Sequence, residues 1–426
     1  MTPRAWLLMA MLGIPLLAAA AEDCRQTVLQ DMGWRVASDD VPTVQIHGGE
    51  VCRRADLTEA HAAGDLRITL PRHMAGAIPG HYLDGLSRDP ASICAYAMQV
   101  GTAARRAASA LQANSGYRFS ALQAGWISFG LRGAQAQGWE SFRSFGRGYR
   151  PLASNSGALQ AFYTGRVRSE CGVGRQVAQL ATLRELHGDA AYDRLFTADE
   201  LSIGTFLGLH DTGSILLGAA AGELRGDGKG ARAAAQGQQA FVGVPGFLVH
   251  ARGRELLDDL NNQAENFIVV DVGVQAADAL GAHAGLRWYD GINEAIWALS
   301  RKIPRRGVRF FERLLAEREP ALRASLTPDE HETLSRMEAL LDDPFYRQFL
   351  IYSHPRGIKP IGYHVIRLLD RNPRTPYVIE LALHNLHTTL YQRWWDSRIT
   401  QCAAGREATD FPGTGDASRP VSTTER

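Results

Sequence analysis

Apolar positions along this 426-residue chain recur with two different periods, and the change between them outlines the elements. Pro90 opens an Ala-rich stretch whose apolar positions return at helical spacing over Ala91–Asn114, which predicts a long helix. A second helix is predicted directly after Glu170-Cys171-Gly172. Val173, Val177, Leu180, Leu183 and Leu186 form its apolar stripe, and Gly188 ends it. Short β-type runs bounded by Gly, Asn and Asp then follow at Phe241–Val244, Phe247–His250 and Phe267–Val272. From Tyr289 to about Gln401 the pattern reads as helical throughout. Thr327-Pro328-Asp329-Glu330 makes a capping box there, five prolines from Pro344 to Pro376 punctuate the stretch, and Tyr377–Ile399 is a final amphipathic helix. The class this predicts is α+β: a small mixed or antiparallel sheet near residues 240–272 packs on the Cys171 helix, and a large helical region follows.

The ends differ from the middle. Arg4, the apolar run Ala5–Leu17 and the small residues Ala18–Ala21 have the charge, length and exit of a secretory signal, and the run is too short to span a bilayer. We expect cleavage after Ala20 or Ala21 and a periplasmic or secreted mature protein without a transmembrane segment. Residues 22–153 read as a mixed and helical N-terminal region, 154–285 as an α+β core, and 286–402 as a helical region. The Gly-, Ser- and Pro-rich tail 403–426 is expected to be disordered.

Charge narrows the function classes. Lys plus Arg number 46 against 45 Asp plus Glu, so no overall field draws nucleic acid. The aromatics and arginines interleaved over Tyr117–Gly148 are read as packing rings and a solvated coat. Five cysteines in an exported chain predict disulfides with one thiol left over. The pairs expected are Cys24 with Cys52 and Cys94 with Cys402, leaving Cys171 free.

Cys171 carries the candidate chemistry. The unpaired amides at a helix N-terminus favour negative charge and would shift its thiol toward thiolate. Such a nucleophile needs a base, and His187, His210 and His250 lie downstream. His250, which ends a predicted strand, is preferred to His210, which lies in a polar loop beside Asp211. Asp271, 21 positions beyond His250 (271 − 250), would orient the imidazole, with Asn266 as a second orienter. Backbone amides around Cys171 and Gly172, together with Gln160, would hold an oxyanion.

This order resembles the papain-like thiol hydrolases in the broad sense, including the NlpC/P60 peptidoglycan hydrolases and the transglutaminase-like enzymes. The resemblance spans Cys171–Asp271 and is one of arrangement. No Asp precedes Cys171 and no papain-type aromatic follows a second cysteine. It implies Cys171 as nucleophile, His250 as base, Asp271 as orienter, and an exported amide or acyl hydrolase or transferase acting on envelope peptide or protein. The alternative is a non-enzymatic periplasmic binding or scaffold protein with a helical partner-binding region. No cofactor is expected. Glu380, His384 and His387 would share a helix face with His364 nearby, but this spacing arises readily by chance and no metal is expected.

Overall fold

The computed structural model describes residues 24–37, 43–46, 66–69, 80–88, 90–119, 138–143, 147–204, 207–216, 241–250, 265–281, 283–354, 356–371, 374–381 and 390–410. The proposed signal segment and residues 411–426 lie outside them. In chain order the elements begin with α1 (24–31), β1 (Trp34–Ala37), β2 (Thr43–Ile46), β3 (Leu66–Thr69), α2 (Gly80–Ser87) and α3 (Pro90–Ala113). Next come β4 (Tyr117–Phe119), β5 (Trp139–Arg143), β6 (Arg147–Pro151), α4 (Asn155–Thr164), β7 (Val167–Ser169), α5 (Cys171–His187), α6 (Asp189–Leu195) and β8 (Ile203–Gly204). The core strands β9 (Pro245–His250) and β10 (Glu265–Val272) precede α7 (Val274–Gly281), α8 (His283–Ser300), α9 (Pro320–Ala324), α10 (Pro328–Leu341) and α11 (Pro344–Gln348). The chain continues through β11 (Phe349–Ser353), β12 (Gly357–Pro360), α12 (Ile361–Leu369), β13 (Tyr377–Leu381) and α13 (Tyr391–Asp410).

Two compact units divide the chain. The first comprises Met1–Gln45, Arg67–Arg88 and Gln392–Arg426, and the second Ile46–Leu66 and Asp89–Tyr391. The second is built on a five-stranded sheet, order β12-β11-β10-β9-β13, with every neighbouring pair antiparallel. Strand β10 lies at its centre and is buried on both faces, which is why ENFIVVDV reads as a near-continuous apolar run. Phe267 and Val269 enter one core with Leu248, Ile351 and the helices that follow the sheet. Ile268 and Val270 enter another with Val173, Val177, Leu180 and Ala181 of α5 and Ala104 and Ala108 of α3. Each buried Val or Ile side chain contributes about 1.5–3 kcal/mol by removal from water. A β-bulge between Val269 and Asp271 interrupts the alternation.

The α+β class holds, with the sheet antiparallel and packed on the Cys171 helix. Three corrections accompany it. The stretch after Tyr289 is not wholly helical, because β11, β12 and β13 pair into the same sheet as β9 and β10. Phe241–Val244 is a turn rather than a strand. Residues 403–410, assigned to the tail, are helical, since α13 continues to Asp410. Within the first unit Cys24 is bonded to Cys402, not to Cys52. Short sequence separation suggested the local pair, but the fold brings α1 to the C-terminal helix, with the two Cα atoms 5.6 Å apart. Cys52 and the side chain of Cys94 lie outside the described residues.

Candidate functional site

The start of α5 is built by its N-cap. Glu170 has extended backbone angles (φ −81°, ψ 173°), and its carboxylate folds over the first turn. Gly172 N donates to Oε2 and Val173 N to Oε1, each at 2.6 Å. Two of the four orphan amides of the helix end are thereby satisfied by a buried side chain. The amide expected to hold an oxyanion beside Cys171, that of Gly172, is occupied in this way.

Cys171 follows at the first helical position and is the free thiol among the described residues. Its sulfur faces the sheet, where Asn266 of β10 donates from Nδ2 at 3.3 Å and from its backbone N–H as well. The thiol hydrogen is directed to the Glu170 carboxylate. Burial, and then the negative charge of Glu170, push the thiol up to about 11, and the Asn266 donors and Arg371 offset only part of this rise. The expected shift toward thiolate is thus reversed. A helix N-terminus favours an anion there, but Glu170 is already that anion.

The imidazole that packs on this part of α5 is His354, which the sequence reading did not select. Two observations place it. A Cβ built on Gly174, one turn from Cys171, would lie 2.7 Å from His354 Cβ. The β10–β11 register pairs Ile268 with Tyr352, and His354 follows two residues on, just past the end of β11 at Ser353. The ring is buried and stacks on Tyr117, with centroids 3.9 Å apart, and Tyr117 Oη bonds Ser169 Oγ at 2.8 Å. The ring also hydrogen-bonds the Arg118 backbone. Nε2 has no partner among the described residues, which assigns that bond to Nδ1–H and the Arg118 carbonyl and leaves Nε2 with its lone pair. Burial pushes the imidazole down to about 4, so it is neutral at pH 7.

The residues chosen from sequence lie elsewhere. His250 closes β9 opposite Tyr377, three residues or about 10 Å along the strand from the Phe247–Asn266 pair. Its side chain lies outside the described residues. Asp271 is five residues, about 16 Å, along β10 from Asn266. Beyond the bulge it pairs with Arg105 of α3 at 3.4 Å and accepts from Val272 N. Asn266, the second orienter in the sequence reading, is the residue that meets Cys171. His210 is exposed and its Nδ1 meets Asp211 at 2.9 Å. His187 stands sixteen residues, about 24 Å, along α5 and packs edge-on against Phe196. Gln160 accepts from Arg184 near that same far end.

Glu380 belongs to β13, so helical spacing to His384 and His387 does not apply, and those two histidines lie outside the described residues. His364 is buried in α12. Among the described residues no group of three His, Cys, Asp or Glu side chains gathers to hold a metal ion, and no helix is long and apolar enough to cross a membrane.

Charge is concentrated around the sulfur. Arg175 follows Cys171 by four residues, so it shares that face of α5. Below Asn266, Glu265 is held by Ser353 Oγ and by Arg367 of α12, and all three are buried. No protein-family model, curated protein or solved structure matches this chain.

Proposed function

We propose that the protein is a cysteine-dependent acyl-transfer enzyme, an amide or acyl hydrolase or transferase, with Cys171 as nucleophile. The observation that carries the reading is the Asn266 amide on Cys171 Sγ at 3.3 Å, which joins a helix-start thiol to the central strand of an antiparallel sheet. The order along this chain is cysteine, amide, histidine, not the expected cysteine, histidine, carboxylate. In the first step the thiol proton has to leave its Glu170 acceptor for His354 Nε2. This transfer, from a thiol at about 11 to an imidazole at about 4, is uphill and substrate binding must assist it; sulfur then attacks the substrate carbonyl. The leaving group then takes that proton and departs, and water or an acceptor amine or alcohol releases the acyl group from the thioester. Asn266 keeps sulfur in place and stabilises the thiolate as it forms. The signal-like N-terminus makes envelope peptide or protein the substrate class and the periplasm the working place.

A second reading, a non-enzymatic envelope binding protein, is favoured by one observation. The thiol is held up to about 11 with Glu170 across its helix-end amides. The two readings diverge when the protein is incubated with cell-wall peptides and probed for a hydroxylamine-labile acyl group on Cys171. The enzyme reading expects the adduct, its loss in Cys171→Ala, and about a 10²–10⁴-fold slower turnover in His354→Gln. Unchanged turnover in Cys171→Ala, or no adduct with a Cys171 inert to chloroacetamide up to pH 10, leaves the binding reading.

A further inference from the structure

We propose that Arg175 forms an anion-binding subsite beside Cys171, so that the acyl or amide compound processed here carries a free carboxylate close to the bond that is cut. The inference rests on the thiol-enzyme reading for its substrate and on Arg175 alone for its chemistry. Arg175 is 4% exposed, and neither Nε nor Nη1 has a hydrogen-bond partner among the described residues. Its guanidinium lies over the Phe247 ring, 5.2 Å from the centroid. Phe247 pairs across the sheet with Asn266, the residue that holds the Cys171 sulfur. Helix spacing and sheet register therefore bring the cation and the nucleophile to one place by separate routes.

A buried guanidinium with two of its three nitrogens unpartnered is costly, and proteins keep such groups where a ligand supplies the missing oxygens. The carboxylate within its field, Glu170, commits one oxygen to Gly172 N and the other to Val173 N. Glu380, opposite Phe247 on β13, is not among the charges acting on Arg175. Burial depresses the guanidinium to about 10, which leaves it charged at neutral pH. Arg367 is also coupled to Cys171, but it is ion-paired with Glu265, so it adds little to the field that Arg175 supplies. Glu170 beside the subsite sets the valence. It repels a dianion more than a monoanion, which favours a carboxylate over a phosphate.

Iodoacetate and iodoacetamide test this on the full-length protein, because they share size and leaving group and differ in a carboxylate against an amide. Labelling is read by mass spectrometry on the Cys171 peptide. The expectation is that the iodoacetate-to-iodoacetamide rate ratio exceeds that of free glutathione by about tenfold and falls back in Arg175→Gln. Arg175→Lys, which keeps the charge, should retain part of the excess, and acetate should slow iodoacetate labelling more than inorganic phosphate does. A ratio equal to that of glutathione in the parent overturns the subsite. If neither reagent reaches Cys171, the thiol-enzyme reading falls instead, and heat denaturation decides the subsite. Acetate should then raise the midpoint of the parent but not of Arg175→Gln, and equal responses overturn it. Phosphate outperforming acetate in either assay overturns the carboxylate assignment.

Discussion

Replacing Glu170 by Gln separates the two things this side chain does. As a cap, the carboxylate accepts from Gly172 N and Val173 N through its two oxygens. Gln has one carbonyl oxygen, so one buried amide loses its acceptor at a cost of about 1–3 kcal/mol. Part of that is returned because burial already disfavours the ionised carboxyl, whose pKa is raised. We expect a net loss of about 1–2 kcal/mol, read from urea midpoints. As a charge, Glu170 is the second-largest cause of the high thiol pKa, after burial. A unit charge at the roughly 4 Å of a thiol–carboxylate hydrogen bond, with an effective dielectric near 20, is worth roughly 4 kcal/mol, about three pKa units before solvent screening. Allowing for screening, we expect the thiol to fall by about one unit from about 11. One unit gives about tenfold more thiolate at pH 8, and the lower intrinsic nucleophilicity of that thiolate trims the gain to about threefold. Iodoacetamide labelling of Cys171 across pH 7–12 measures both the rate and the inflection. An inflection unmoved or raised in Glu170→Gln would refute the electrostatic account of the site.

Two further outcomes are expected. The folded thiol sits near 11 against an ordinary 9.0, so the native state keeps a proton that the unfolded chain gives up. Its stabilisation is therefore complete below pH 9 and declines up to pH 11, by about 1.4 kcal/mol per unit and about 2–3 kcal/mol in all. Cys171→Ala should remove that part of the alkaline slope relative to the parent, and parallel slopes would contradict the assignment. For the covalent tie, a non-reducing peptide map should recover Cys24 joined to Cys402. Breaking the tie in Cys24→Ser should cost about 2–5 kcal/mol of unfolding free energy, and recovery of Cys24 joined to Cys52 would overturn the pairing.

Much of the scaffold was legible residue by residue, because its signals are local. Pro90 and the Ala-rich repeat announced α3, and the stripe from Val173 to Leu186 announced α5. The Thr327–Glu330 box closes as read, and the β-branched runs became β9 and β10. Strands β11 and β13 escaped, since FLIYS and YVIEL are too short for period alone to separate strand from buried helix. That miss also hid His354, which follows an apolar run just as His250 does but lies in a stretch read as helix.

Cys171 stood out in the sequence because helix start and odd cysteine count are properties of the chain itself. Its partners depended on register. Only the pairing of β10 with β11 brings the end of β11, and His354 just after it, toward the Asn266 end of β10, and only the bulge after Val269 sends Asp271 toward Arg105. Nothing in the sequence singles out Arg175; the fold sets its guanidinium over the Phe247 ring. Even the sign of the thiol shift was decided in three dimensions. The helix dipole favours a thiolate in any sequence with this spacing, and a carboxylate folded onto the same amides reverses that preference.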